Sequence, residues 1–177
     1  HHHADAVSEI GEAARAELKI DQQLVKIEAA WMSLRLEYVE WKSSSVMVLD
    51  EVALAPVYEA LDEHEVSLQN MMSNRFMGHF EAGIASWKGK LAGLRATLDA
   101  WMEVQRSWCS REAIFIGSED IRLQLPEEAK RFDRIHAAFK KIMADTAKNP
   151  NVLDTCTAEG RLSTLQGLFS QLEACQK

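Results

Sequence analysis

Three prolines and eight glycines in 177 residues leave few places where a helix has to stop. That scarcity argues against a many-turned sheet protein and favours long helices. Cysteine is also sparse: Cys109, Cys156 and Cys175 are odd in number, widely spaced and form no Cys-x-x-Cys pair. Free thiols in a reducing, intracellular compartment suit this pattern better than a disulfide framework. No run approaches the roughly 18 apolar residues needed to cross a bilayer. No charged-then-apolar signal segment precedes the first helix, so a membrane is not an expected partner. Basic charge is not in excess, since 20 Lys and Arg stand against 27 Asp and Glu for a net charge of -7. With both signs interspersed along helical surfaces, nucleic acid is not an expected partner either.

Signatures of chemistry are missing too. A phosphate-binding loop needs glycines followed by Gly-Lys-Ser/Thr, so that backbone N–H groups and the lysine surround the phosphates. Gly83 to Lys90 has glycines and lysines but lies on a helical seam and lacks the hydroxyl for magnesium. His64, His79 and His136 are single and far apart, without the spacing of a zinc motif. Asp62-Glu63-His64-Glu65 and Glu127-Glu128 read as solvated helix faces rather than acid/base pairs. Cys109 lies deep in a helix, where no helix dipole lowers its pKa. Met71, Met72 and Met77 read as core filler, and Lys130, Arg131, Arg134, Lys140 and Lys141 as a solvated basic face. The expected catalytic, metal and cofactor sites of this segment are therefore none.

What is present is an apolar fraction of 47%, enough for a packed core, arranged with helical spacing. His1, His2 and His3 read as a tag remnant. Ile20, Leu24, Ile27, Trp31, Leu34, Tyr38 and Trp41 alternate four and three apart, which predicts a helix ending at Ser43-Ser44-Ser45. Val46 to Leu49 predicts a short strand or extended crossing. Asp50 is a plausible N-cap for a helix through Val57, Leu61 and Leu68 to about Met72, with Pro56 in its first turn. A second seam at Phe80, Ile84, Trp87, Leu91, Leu94, Leu98, Trp101, Gln105, Trp108, Glu112 and Phe115 predicts one helix about 54 Å long at roughly 1.5 Å per residue. Gly117 is expected to end it in the left-handed conformation.

A compact connector is expected to run to Leu125, followed by a helix starting at Pro126 with Glu127 and Glu128 at its positive end. Phe132, Ile135, Phe139 and Ile142 form its stripe. Asn149-Pro150 ends it, and Leu162, Leu165, Leu168, Phe169 and Leu172 mark a last helix that reaches Lys177, as expected of a piece of something longer. All five tryptophans, Trp31, Trp41, Trp87, Trp101 and Trp108, fall on the two long seams, where rigid rings are expected to fill the core. Gln105 is less ordinary. A buried amide must find hydrogen-bond partners or lose about 1 to 3 kcal/mol, so it is expected to fix the register of helix packing. The fold class is all-α, an elongated antiparallel bundle or rod of four to five helices with a short strand segment.

The run from Trp101 to Ile135 carries a resemblance. Its Trp-x-x-Val-Gln-Arg-x-Trp (Trp101, Val104, Gln105, Arg106, Trp108), Ile114-Phe115, Ser118-Glu119-Asp120-Ile121-Arg122, Gln124-Leu125-Pro126 and Arg131-Phe132-Asp133-x-Ile135 closely resemble the linker region of dynein heavy chains. The outer-arm axonemal type looks nearest. After Trp108 the family commonly continues with an aromatic-leucine-glutamate run, of which Cys109-Ser110-Arg111-Glu112 keeps only the glutamate. The resemblance implies a tail-proximal, non-catalytic linker, with residues 4-116 and 117-177 as two successive helical bundles of one rod. Its structural and motif residues would be Trp87, Trp101, Gln105, Arg106, Trp108, Phe115, Asp120, Leu125, Pro126 and Phe132. It implies ATP and magnesium only in the ring of the parent chain. The implied partners are that ring and the tail, with dynein intermediate and light chains nearby and microtubules only through the parent motor. The implied location is the cytoskeleton of a ciliary or flagellar axoneme. The competing reading from periodicity alone is a helical adaptor or spectrin-like module that holds a partner helix.

Overall fold

In the computed structural model, the described residues are 2–42 and 44–175. His1, Ser43, Gln176 and Lys177 lie outside them, and with them the start of the tag remnant, the first serine of the expected helix stop and the expected reach of the last helix to Lys177. Among the described residues there are seven helices and one two-stranded antiparallel sheet. Five helices are long: α1 (His2–Ser33), α2 (Ala55–Met72), α3 (Glu81–Phe115), α5 (Pro126–Lys148) and α7 (Arg161–Ala174). Two are short, α4 (Glu119–Gln124) and α6 (Val152–Cys156). Contacts divide the chain into two compact units, 1–34 with 55–92 and 35–54 with 93–177. This grouping differs from a division at Gly117, because each unit draws on two separate stretches of chain.

In the first unit α1 packs on α2. Ile20, Ile27 and Trp31 are buried on α1, and Val57, Leu61, His64, Leu68 and Met71 on α2, with alternating steps of four and three that keep one face inward. Asp50 accepts from the Val52 N–H at 3.1 Å and caps a short 3-10 turn, Val52–Leu54, that leads into α2. Pro56 falls in the first turn of α2, where its missing N–H removes no helix bond.

The second unit contains the largest departure from the predicted elements. The helix expected to continue to Trp41 ends at Ser33, and Tyr38–Glu40 (β1) pairs with Met47–Leu49 (β2) in the register Tyr38↔Leu49, Val39↔Val48, Glu40↔Met47. Leu34, Tyr38 and Trp41 continue the heptad only by coincidence of spacing. The Leu36 N–H donates to the Pro150 carbonyl at 2.7 Å, Arg35 bridges to Asn151, and the Trp41 N–H reaches the Val46 carbonyl at 3.0 Å. These partners, one across the hairpin turn and two far along the chain, take over the backbone groups that a longer helix would have used.

The expected strand at Val46 to Leu49 is present as β2, and α3 is unbroken for 35 residues. Gly117, however, is not left-handed; among the described glycines only Gly160 has a positive φ, 79°. Gly117 is required for a different reason: a Cβ there would lie 2.7 Å from the Ala113 carbonyl oxygen. The compact connector after it contains a short helix. Ser118 accepts from the Ile121 N–H and caps the six-residue α4. A cap also explains α6, which the apolar pattern did not predict: Asn151 accepts from the Asp154 N–H at 2.9 Å.

Candidate functional site

The densest arrangement of motif residues is in the second unit, where the hairpin and α5 pack against α3. Trp101, Gln105, Trp108 and Phe115 recur at helical spacing and are all buried. Gln105 holds the hairpin by its backbone. Its Oε1 accepts from the Leu49 N–H and its Nε2 donates to the Leu49 carbonyl, both at 2.8 Å. The amide thus continues the sheet's hydrogen bonding on the outer edge of β2. Its partner is a strand, not the second helix that the spacing suggested.

Around this clamp the aromatic rings interlock. Trp108 lies 5.0 Å from Phe139 and 5.7 Å from His136 between ring centroids, with Trp41 edge-on at 6.4 Å. Phe115 stacks on Phe132 at 5.4 Å. The Trp101 indole donates to the Met143 sulfur at 3.2 Å. Tyr38 ties the hairpin to α5 through a 2.8 Å bond to Thr146, and the Trp41 indole donates to Glu112 at 3.0 Å. The hairpin, α3 and α5 are thus each tied to the other two by a ring contact or a hydrogen bond.

The remaining motif residues take no part in the clamp itself. Arg106 is exposed and pairs with Glu51 at 3.0 Å. Asp120 is exposed in the first turn of α4, Leu125 is half-buried between α4 and α5, and Pro126 is exposed at the start of α5. Trp87 and Trp41 are half-buried, not in the core, and Lys90 lies over the Trp87 ring at 4.8 Å. One pair was not singled out from sequence. Arg122 grips Asp133 at 2.6 and 3.1 Å while donating to the Phe115 carbonyl at 2.9 Å, joining the end of α3 to α4 and α5. That pairing holds the Asp133 carboxyl below its ordinary pKa and raises that of Arg122. Both residues stand in the quoted motif, eleven apart across Pro126, but no short-range spacing rule relates them. Arg111, where the sequence departs from the family run, has its own partners in Ser107 at 2.8 Å and Glu173 at 3.3 Å.

Burial dominates at the cysteines. It pushes the Cys109 thiol up to about 11 and Cys156 to about 12, so neither is a ready nucleophile. Among the described residues no three His, Cys, Asp or Glu side chains gather to hold a metal ion, and no helix is long and apolar enough to cross a membrane. A groove of about 460 Å³ lies beside the clamp, lined by Val39, Trp41, Val48, Leu49, Gln105 and Cys109 among others.

Two histidines serve as acceptors, His64 buried and His136 half-buried. The Trp31 indole donates to His64 Nδ1 at 3.0 Å in the first unit, and the Trp108 indole donates to His136 Nδ1 at 3.2 Å in the second. An accepting Nδ1 places the ring proton on Nε2. Burial lowers both pKa values; Glu63 opposes and Lys26 reinforces the shift at His64, and Lys140 reinforces while Asp133 and Glu112 oppose it at His136. The unfolded chain therefore takes up protons first as pH falls, so this contribution is complete above the ordinary histidine value of 6.5 and is lost below it. Urea midpoints are expected to fall between about pH 7.5 and about pH 5.5, and less steeply in a His64→Gln, His136→Gln double variant. Equal slopes for the two proteins would remove the histidines as the cause.

The geometry defines a class first: a helical packing module, built around a long tryptophan-bearing helix that holds a β-hairpin by its backbone. Comparison with known proteins then gives the family. Residues 1–177 match the dynein heavy chain, N-terminal region 2. The chain is 38% identical over its whole length to the dynein beta chain of the flagellar outer arm of Chlamydomonas reinhardtii, and 41% identical to the Dynein-1-alpha heavy chain of the flagellar inner arm I1 complex of the same organism. It is 34% identical to human dynein axonemal heavy chain 17. It spans about 4% of the length of each of these relatives. This chain belongs to the dynein heavy chain family, as the motifs between Trp101 and Ile135 implied.

Proposed function

We propose that this segment is part of the linker of an axonemal dynein heavy chain, a non-catalytic arm coupling nucleotide-driven changes in the motor ring to displacement of the tail. The observation that carries the reading is the Gln105 clamp, which joins the hairpin backbone to an unbroken 35-residue helix. A lever transmits displacement only if little of the stroke is absorbed by internal bending, and interlocked rings with satisfied backbone bonds resist bending. In this reading ATP and magnesium bind in ring modules elsewhere in the parent chain, and the arm's partners are that ring, the tail and nearby intermediate and light chains. Microtubules are engaged only through the parent motor, in a ciliary or flagellar axoneme, the setting named for the relatives.

The test is made in the complete motor. Gln105→Ala is expected to slow microtubule gliding while ATP turnover per head is retained. If velocity and turnover fall in the same proportion, the segment is not acting as a lever. The competing adaptor reading draws on the groove beside Val39 and Val48, and saturable binding of an axonemal peptide to the isolated chain would favour it.

A further inference from the structure

We propose that α1 carries a self-complementary seam through which two copies of this chain associate along parallel helices. The helix has two apolar faces. One, with Ile20, Ile27 and Trp31, is buried within the first unit. On the opposite side Val7, Leu18, Val25 and Met32 are 60%, 57%, 59% and 67% exposed. Leu18, Val25 and Met32 follow one another at seven-residue steps, which keeps them in one row, and the small side chains of Ala14 and Ala29 extend it. A row of this kind on a soluble helix marks a contact surface more often than isolated exposed residues do.

The charges beside the row identify its occupant. Lys19 and Lys26 lie along one edge, and Glu17, Asp21 and Glu28 along the other; all five are exposed. A uniformly acidic or basic partner would match one edge and be repelled by the other. A second copy in antiparallel orientation would place acid against acid and base against base. A second copy in parallel orientation places each acidic edge against a basic one. Asp21 then faces Lys26 of the other copy, five positions on, and the symmetry makes that pair twice. The row is narrow, and in this register Arg15 and Gln22 meet their own counterparts, so the contact belongs to the small, reversible class of interfaces. This self-association is separate from the lever reading and from the clamp in the second unit.

The test uses the 177-residue chain in sedimentation equilibrium over a rising concentration series. The weight-average mass is expected to climb from one copy toward two, and to climb less at high salt because the edge pairs are exposed. D21K/E28K and K19E/K26E are each expected to stay monomeric alone and to associate when mixed, with unchanged helical circular dichroism. Orientation is read by oxidation in a Cys109→Ser background, where Leu18→Cys and Met32→Cys should each cross-link to their own kind. A wild-type chain that stays monomeric throughout would overturn the proposal, the face then serving another helix or water. Cross-links formed only between position 18 and position 32 would overturn it as well.

Discussion

Replacing Trp108 with alanine is expected to destabilise the second unit by about 3 to 5 kcal/mol. The ring has no exposed surface and lies against Phe139 and His136 of α5 and Trp41 of the hairpin turn. Removing it leaves a cavity between α3 and α5 that the hairpin cannot fill without breaking its Leu49 bonds. The indole N–H contributes less than the ring, so Trp108→Phe should cost only about 1 kcal/mol, leaving His136 without its donor. Hydrogen exchange is the suitable readout, because two compact units need not unfold in a single step. Amides of α5 and β2 should lose protection in Trp108→Ala while those of α2 change little. Equal loss throughout the chain would show that the two units unfold together.

The second large effect is expected at Gln105. In Gln105→Leu the volume is nearly conserved, but the N–H and carbonyl of Leu49 lose their partners in a buried place, costing about 2 to 5 kcal/mol for the two groups. Gln105→Glu separates the two bonds. It keeps an acceptor for the Leu49 N–H and sets a second oxygen against the Leu49 carbonyl, so it should be destabilised at neutral pH and partly recover at acid pH, where a protonated carboxyl can donate. The measurement is the denaturation midpoint of each variant, with backbone chemical shifts of residues 47 to 49 reporting the hairpin directly. Midpoints within about 0.5 kcal/mol of wild type for Gln105→Leu would mean that β2 is held by its other contacts alone.

Much of this architecture could be read from periodicity, and the exceptions have a common cause. The bounds of α3 and α5 and the end of α2 follow from apolar spacing and local terminators such as Pro126 and Asn149-Pro150, whereas α2 starts at Ala55 after a 3-10 turn and not directly after Asp50. The hairpin does not, because β1 depends on residues 150–151, far along the chain, as well as on its turn partners Val46 and Val48. Trp41 and Trp87 lie on the heptads yet are half-buried, while Trp31, Trp101 and Trp108 are fully enclosed. Spacing says which side of a helix is apolar, but not whether a neighbour covers the whole ring. At the clamp, the need of Gln105 for partners was legible from its residue type and position. That Leu49 would meet the need was not, since the two are 56 residues apart.

The bond from Leu36 to Pro150 orders events during synthesis. Segments emerge from the ribosome in sequence order, and the first unit is complete in the chain once Ala92 has been made. The hairpin segment leaves much earlier than its fixtures: Gln105 follows Leu49 by 56 residues, and Thr146 follows Tyr38 by 108. Until those residues arrive, Val46, Val48 and Leu49 have no cover, and a lone two-stranded hairpin is marginal in water. The nascent strand edges between Tyr38 and Leu49 are therefore where a holding chaperone would have the most to protect.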